Sequence, residues 1–168
     1  RAGYDVTGVT LRLHAYKDRP GLCGSADDIE TARAVSAAMG IPHQVLDLSG
    51  LFRIAVMDRF VEEYVHGRTP NPCIDCNREI KFGALLDWAL EQGADAIAHY
   101  ARVRYDEERG RWLLLRGRDR RKDQSYVLYQ LTQRQLSHLL LPVGDYEKPD
   151  IRALAAEAGL ENAEKADS

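Results

Sequence analysis

The amino-acid sequence predicts an α/β domain built on a twisted parallel sheet with helices on both faces, a Rossmann-like arrangement. Three observations support this prediction. Short β-branched apolar runs alternate with segments of helical period, the connections between them are short, and the order begins β-α-β-α. The chain has 168 residues, of which 45% are hydrophobic and 29% charged, as in one ordinary globular domain.

The first half of the chain contains two strand patterns and two helix patterns. Residues 4–14 are apolar and β-branched, which predicts a buried strand, and residues 43–48 predict a second, shorter strand. Between them, Ser25 begins a capping-box-like pattern for a helix that ends at Gly40. A second helix is predicted over 51–65 from its apolar spacing.

The second half begins with the segment 69–76, TPNPCIDC, in which a single asparagine separates two prolines. Because proline lacks an N–H group, this segment is predicted to be a rigid loop and not a regular helix or a central strand. The further predicted elements are a helix over 79–93, a strand over 94–98, a hairpin of 101–105 and 112–116, a helix over 132–141 with Gln135 completing a capping box, and a last helix from Pro149 to Gly159.

Charge and cysteine content exclude several classes of protein. The 23 Lys and Arg residues against 26 Asp and Glu give a net charge of −3, so the chain as a whole is not typical of a nucleic-acid binder. No apolar stretch approaches the roughly 18 residues of a membrane span. Three cysteines, an odd number, argue against a secreted disulfide framework and predict a cytoplasmic protein. The first residue is Arg1 and no signal-peptide pattern follows it, which indicates a fragment.

Ligand sites of parallel sheets lie outside the carboxyl ends of the strands. The residues after Leu13 and after Ala98 are therefore expected at the site edge. His99, directly after a predicted strand, is the histidine placed best for a functional role, since the others resemble surface or capping residues. Cys23 has no spaced partner, and no role is assigned to it.

Cys73 and Cys76 have C-x-x-C spacing just ahead of a predicted helix. The helix N-terminus and the nearby Arg78 and Lys81 would favour a thiolate, which predicts a reactive cysteine. Two other interpretations stay open: ligation of a metal or cluster, and two structural thiols. A site of four cysteines cannot form within a chain that has three.

A cluster of basic residues follows the predicted hairpin. Residues 116–122, RGRDRRK, contain five basic side chains in seven, and the segment continues as KDQSY over 122–126. In an acidic chain this is either a local phosphate-contact surface or a solvated charged turn. Lys122, Asp123 and Gln124 add hydrogen-bond donors and acceptors suited to a nucleotide, which favours the first interpretation.

The segment 69–82, TPNPCIDCNREIKF, resembles the family of tRNA-specific 2-thiouridylases, which place sulfur on the wobble uridine of certain tRNAs. The resemblance covers essentially the whole chain, in the family's order. It is carried further by DDIETARAVSAAMGIPH at 27–43, GRTPNP at 67–72, GADAIA-HY at 93–100, LLRGRDRRKDQSYVLY at 114–129 and LPVGDYEKPDIRALAAEAGL at 141–160.

The resemblance implies that residues 1–168 are a catalytic domain of the ATP-pyrophosphatase, or adenine nucleotide alpha-hydrolase, type. Such a domain adenylates the uridine 2-oxygen, after which sulfur from a cysteine persulfide displaces AMP. Cys76 matches the family's first catalytic cysteine. The resemblance also implies the following contacts: Asn71, Pro72 and Cys73 with the flipped-out target base, Lys122, Asp123 and Gln124 with tRNA, and Leu11 and His99 with ATP.

Several departures from the family pattern define what this chain lacks. The SGGxDSS phosphate loop does not precede Arg1, and the chain ends where the family continues toward its second, persulfide-bearing cysteine. Ala98-His99-Tyr100 stands where the family has A-T-G-H-Y. Cys73 stands where many members have Asp, and with a third cysteine this C-x-x-C could instead hold an iron–sulfur cluster or serve a redox role.

We therefore expect an incomplete catalytic domain of a cytoplasmic tRNA-uridine 2-sulfurtransferase. Its substrates would be ATP with Mg²⁺ and tRNA, a sulfur-relay protein would be its donor, and no membrane would be involved. The alternative is a non-catalytic RNA- or metal-binding module that keeps the fold and the C-x-x-C.

Overall fold

The computed structural model describes residues 3–14, 26–98 and 101–160. The α/β class is confirmed, and the chain divides into two compact units, one of residues 1–54 and 152–168 and one of residues 55–151. The strands are β1 Gly8–Arg12, β2 His43–Asp47, β3 Ile97–Ala98, β4 Arg102–Asp106, β5 Arg111–Leu115 and β6 Leu139–Leu140. The helices are α1 Ala26–Ala38, α2 Ser49–Phe52, α3 Arg59–Val65, α4 Pro72–Asp75, α5 Leu85–Glu91, α6 Gln133–Ser137 and α7 Lys148–Glu157, with π-helical segments π1 Arg53–Asp58 and π2 Cys76–Ala84 and a 3₁₀ turn Ser125–Val127.

In the first unit, β1 and β2 pair in parallel, from Gly8 opposite His43 to Arg12 opposite Asp47. Their connection includes α1, as parallel strands require a crossover. The predicted end of this helix at Gly40 is confirmed by its left-handed φ of +67°. Ser25, the predicted start, lies outside the described residues.

In the second unit, β3 and β6 pair in parallel, while β4 and β5 form the predicted antiparallel hairpin. In the described residues the strands therefore pair two by two. Phe82 of π2 packs in the core of this unit, so the helix that contains Cys76 is fixed by burial of its apolar face. The core residues are Phe82, Ala101, Val127, Leu128, Leu136, Leu139 and Leu141.

Two predicted boundaries are wrong. The segment 69–76 is not a loop throughout, because a helix begins at Pro72. Proline is tolerated at the first helical position since its missing N–H has no partner there in any case. The predicted helix over 132–141 ends at Ser137, because the next residues form β6 and Leu139 is buried opposite Ile97. The capping box of Thr132 and Gln135 at its start is confirmed.

Among the residues that the structure describes, no helix has both the length and the apolar composition needed to cross a bilayer.

Gly144 gives a test of close packing in the second unit. A β-carbon at this position would overlap the carbonyl group of Ala101, which belongs to the core. We expect Gly144→Ala to lower the free energy of unfolding by about 2 kcal/mol or more, as overpacking does. Urea unfolding checks this. Gly50→Ala is the control because a β-carbon there has open space; an equal loss in both variants would contradict the packing argument.

Candidate active site

The helix that contains both C-x-x-C cysteines begins at Asn71. The Asn71 backbone is extended, with φ −109° and ψ 102°, and the Asn71 side-chain Oδ1 accepts a hydrogen bond of 3.0 Å from the Cys73 N–H. Asn71 is thus an N-cap, and Pro72 is the first helical residue. From Pro72 the helix continues without a break through α4, π2 and α5 to Glu91, and residues 72–91 are named the cysteine helix below.

The two cysteines differ in accessibility. Cys73 is exposed in the first turn, whereas Cys76, three residues later, is only 9% exposed. Neither is in a disulfide within the described residues, and their i,i+3 spacing places them one above the other on one side of the helix. Asn71, Pro72, Cys73 and Cys76 therefore lie together at a helix start and not in a loop, and their roles stay predictions.

Asp75 lies between the cysteines and is only 8% exposed. Its Oδ1 lies 3.2 Å from Nη2 of Arg78, and its Oδ2 lies 3.4 Å from Nε of Arg59. A buried carboxylate needs such partners, because removing a charge from water is costly. The two guanidinium groups therefore offset the negative charge that Asp75 places beside the thiols.

Arg78 also connects the cysteine helix to a later part of the chain. Its Nη1 donates to Oε1 of Gln130 at 2.6 Å, and its Nε donates to Oε1 of Glu79 at 2.6 Å. A second link lies further along, where Nε2 of Gln135 donates to the Phe82 carbonyl oxygen at 2.7 Å. These links attach the segment that follows KDQSY to the helix of the thiols.

Sequence reasoning assigned Arg78 to thiolate stabilisation and did not identify Asp75 or Gln130. The i,i+3 spacing of Asp75 and Arg78 is a signal that predicts their ion pair. No local pattern predicts the Arg78 to Gln130 bond, which joins residues 52 positions apart. The expected thiolate stays a prediction.

Asn77 is a further polar residue beside Cys76 and is only 3% exposed. Within residues 3–14, 26–98 and 101–160, its Oδ1 has no hydrogen-bond partner. An unsatisfied buried acceptor costs about 1–3 kcal/mol, so a donor group of a ligand reaching this atom would be bound favourably.

The basic loop, residues 116–122, exposes its basic side chains to solvent and directs its acidic side chain toward backbone N–H groups. All five basic side chains are exposed, and four of them, Arg116, Arg118, Arg120 and Arg121, make no ion pair within the described part of the chain. The loop backbone is held to the second unit by a hydrogen bond of 2.8 Å from the Arg118 N–H to the Gly144 carbonyl oxygen. A fixed, outward-facing cluster of guanidinium groups is suited to phosphate binding.

Two carboxylates shape this loop from inside. Oδ1 of Asp123 accepts from the N–H groups of Gly117 at 2.8 Å and Ser125 at 3.3 Å, and Oδ2 accepts from the Ser125 hydroxyl at 2.8 Å. Oδ2 of Asp119 accepts from the Lys148 N–H at 3.2 Å, and Oδ1 from the Arg121 N–H at 3.0 Å.

These bonds lower the pKa of both carboxyl groups. For Asp123, burial acts to raise the pKa, but the hydrogen bonds from Gly117 and Ser125 outweigh it and hold the pKa below its ordinary value. For Asp119, the bond from the Lys148 N–H is the main cause of the lowered pKa. Both groups therefore stay ionised and keep the loop folded near neutral pH.

The other predicted site residues are less informative. Leu11 lies in β1 opposite Leu46, in the first unit. Lys122 and Gln124 are exposed, and the Lys122 N–H donates to the Asp119 carbonyl oxygen at 3.2 Å. His99 and Cys23 lie outside the described residues. Among the residues that are described, no group of three potential ligands could hold a metal ion.

The fold and this site define a mixed α/β domain with paired cysteines at a helix start and a preorganised basic loop. The chain belongs to the tRNA methyl transferase HUP domain family, whose model matches residues 1–168.

Curated relatives are similar along the whole chain. A protein of Moorella thermoacetica named tRNA-specific 2-thiouridylase MnmA is 52% identical over 99% of this chain and 48% of its own length. A protein of Thermoanaerobacter sp. named tRNA-specific 2-thiouridylase MnmA 2 is 50% identical over 100% of this chain and 48% of its own length. A protein of Salinibacter ruber named tRNA-specific 2-thiouridylase MnmA is 49% identical over 99% of this chain and 46% of its own length. The chain thus spans about half the length of the curated relatives it matches.

The Asn71 cap can be tested by substitution. Asn71→Ala removes the acceptor for the Cys73 N–H and should lower the free energy of unfolding by about 1 kcal/mol. Asn71→Asp keeps an acceptor at the same position and should unfold at nearly the wild-type urea concentration. If the aspartate variant lost as much stability as the alanine variant, capping would not be the role of this side chain.

The carboxylate of Asp123 predicts a pH dependence. Its folded-state pKa is below the ordinary value of 3.8, so its stabilisation is complete above that value and is lost as the pH falls through the folded-state pKa. We expect Asp123→Asn to be less stable than the wild type at pH 7, and the difference to shrink below about pH 4. Urea unfolding at several pH values measures it. Glu107→Gln, at an exposed turn position, is the control; a gap for Asp123→Asn that did not change with pH would contradict the prediction.

Proposed function

We propose that this chain is the ATP-pyrophosphatase-like catalytic domain of a tRNA-uridine 2-sulfurtransferase that thiolates the wobble uridine at position 34. The observation that carries this proposal is the capped helix start that bears Cys73 and Cys76 within the TPNPCIDC segment. The names of relatives about half identical to the chain support it. A HUP-family fold supports the use of ATP, and we propose Mg²⁺ as the cation that accompanies it.

The proposed reaction has two chemical stages. The uridine 2-oxygen first attacks the α-phosphate of ATP and releases pyrophosphate, which turns a poor leaving group into AMP. Persulfide sulfur then attacks C2, and AMP departs with the former uridine oxygen. Cys76 acts as the nucleophile that cleaves the persulfide S–S bond.

The basic loop is the proposed contact for the tRNA backbone. Its exposed arginines meet phosphates, and Lys122 and Gln124 continue this surface. Asp123 contributes to the same contact indirectly, because its carboxylate accepts hydrogen bonds that hold the loop in shape. An acidic chain can bind RNA in this way because the charge that matters is local.

The target base is proposed to leave the anticodon stack and approach Asn71, Pro72 and Cys73. Enzymes that modify a base in structured nucleic acid generally extrude it into a pocket. A capped helix start stiffened by Pro72 provides a rigid wall for this base.

The sulfur is proposed to come from a sulfur-relay protein in the cytoplasm, where thiols stay reduced. Ligation of an iron–sulfur cluster by this C-x-x-C together with a third cysteine is the alternative role, and no step of the proposed reaction uses it.

The test of this function uses the full-length protein with ATP, a persulfide donor and unmodified tRNA. Cys76→Ser should lower the rate of 2-thiouridine formation at least about a thousandfold, as loss of a nucleophile does. Binding of tRNA should change by no more than about twofold, since the basic loop is intact. Mass spectrometry of digested tRNA measures the product, and filter binding measures the affinity.

Cys23→Ser provides a matched control, because it removes a cysteine without an assigned role and should keep the wild-type rate. Binding of tRNA without ATP-dependent thiolation by the wild type would overturn the proposed activity. That result would identify the alternative, a non-catalytic RNA-binding module.

A further inference from the structure

The β4–β5 hairpin has one face toward the core of the second unit and one face away from it. Its register places Val103 opposite Leu114 and Tyr105 opposite Trp112. Val103, Trp112 and Leu114 pack against the core. Because successive side chains of a strand point to opposite faces, the alternate residues face away from the core. These residues, named the outer face below, are Arg102, Arg104, Asp106, Arg111, Leu113 and Leu115.

Two guanidinium groups give the outer face an uncompensated positive charge. Arg104 and Arg111 are exposed, and in the part of the chain that the structure describes neither lies within ion-pair distance of a carboxylate. Arg102 differs, since its Nε lies 2.6 Å from Oδ1 of Asp145. The charges that remain available to a partner are therefore those of Arg104 and Arg111.

Asp106, the carboxylate of the outer face, is already engaged. Its Oδ1 accepts from the Arg109 N–H at 3.0 Å, and its Oδ2 accepts from Nη1 of Arg109 at 2.6 Å. Its side chain is only 10% exposed. The guanidinium of Arg109 thus offsets this negative charge, although Asp106 lies directly opposite Arg111.

Arg104 and Arg111 are neighbours across the two strands. Arg104 is opposite Leu113, so Arg111, two residues away on the same strand as Leu113, is its diagonal neighbour. Diagonal neighbours are about 7–8 Å apart, close enough for two long side chains to meet adjacent groups of one ligand. A guanidinium group matches the geometry of a phosphate, so this pair is suited to a chain of phosphates.

The hairpin holds these side chains on an ordered platform. Oε1 of Gln133 accepts from the Trp112 N–H at 2.7 Å, and Nε2 of Gln133 donates to the Trp112 carbonyl oxygen at 3.0 Å. The rings of Tyr105 and Trp112 pack edge to face with centroids 5.3 Å apart. A strand pair fixed in this way loses little conformational entropy when it binds.

The outer face is continuous with the basic loop. Strand β5 ends at Leu115, and Arg116 of the loop is the next residue. Gly144 connects the two from the other side, because its carbonyl oxygen accepts from the Arg118 N–H at 2.8 Å and a β-carbon on it would lie 2.6 Å from the side chain of Arg102. The loop backbone therefore lies beside the end of the hairpin at which the outer face begins.

We infer that the outer face is a second contact for the phosphate backbone of tRNA, made through Arg104 and Arg111 beside the basic loop. This inference rests on the proposed function and extends its RNA surface from the loop into the hairpin. The adjacent loop continues the same positive charge, which favours a long polyanion such as RNA over a short acidic protein segment. Contacts of this kind position the RNA without reading its sequence.

The experiment measures binding of unmodified tRNA to the full-length protein by filter binding over a series of salt concentrations. Each phosphate contact contributes about 0.7–0.9 to the slope of log K against log salt, which is about fivefold to eightfold in affinity at about 0.1 M salt. We expect Arg104→Gln/Arg111→Gln to bind about thirtyfold more weakly at about 0.1 M salt and to reduce the slope by about 1.4–1.8.

Two further measurements separate a phosphate contact from a loss of structure. Arg104→Lys/Arg111→Lys keeps both charges and should retain the wild-type salt slope, with an affinity within about threefold of the wild type. In the thiolation assay, Arg104→Gln/Arg111→Gln should raise the KM for tRNA and leave kcat within about twofold, as loss of uniform binding does. A misfolded variant would lose kcat as well.

Arg33→Gln/Arg134→Gln is the matched control. It also removes two exposed guanidinium groups, but these already pair with carboxylates, Arg33 with Glu30 at 2.7 Å and Arg134 with Asp87 at 2.8 Å. Because the change in net charge is the same and distant charges are screened, it should bind tRNA within about twofold of the wild type.

Wild-type affinity and salt slope in Arg104→Gln/Arg111→Gln would overturn this inference, leave the proposed function intact and favour an acidic protein segment as the partner of the outer face. An equal loss in the matched control would also overturn it, because net charge and not a local contact would then be responsible. A wild-type protein that bound no tRNA would instead contradict the proposed function.

Discussion

The start of the cysteine helix at Asn71 is the constraint on which the candidate site depends. The hydrogen bond from the Cys73 N–H to Asn71 and the fixed φ of Pro72 decide where the helix begins. That beginning exposes Cys73 and buries Cys76 one turn later. The cap sets where the helix begins, and packing of Phe82 in the core sets which side of the helix is buried.

Burial of charge in this turn is possible because the partners come from three places in the chain. Asp75 is held by Arg59 and Arg78, and Arg78 continues to Gln130. A buried carboxylate without such partners would be strongly destabilising. The network thus combines a structural role, which attaches the 125–131 segment to the helix, with an electrostatic one.

The basic loop follows the opposite principle, since its acidic side chains turn inward and its basic ones outward. Asp119 and Asp123 satisfy backbone N–H groups, which fixes the loop without consuming the guanidinium charges. A positive surface that is ordered before binding loses less conformational entropy when it meets a polyanion. A chain with a net charge of −3 can in this way present a local positive surface.

The sequence by itself determined the α/β class, most elements, the capping box at Thr132, the cysteine pair and the basic cluster, because these depend on local spacing and residue type. Only the tertiary structure decided that Leu139 forms a strand and that Arg78 contacts Gln130. Both depend on partners distant in sequence: Leu139 pairs with Ile97, and Gln130 lies 52 residues from Arg78. Burial and long-range hydrogen bonds override local preference at such positions, and no local pattern encodes them.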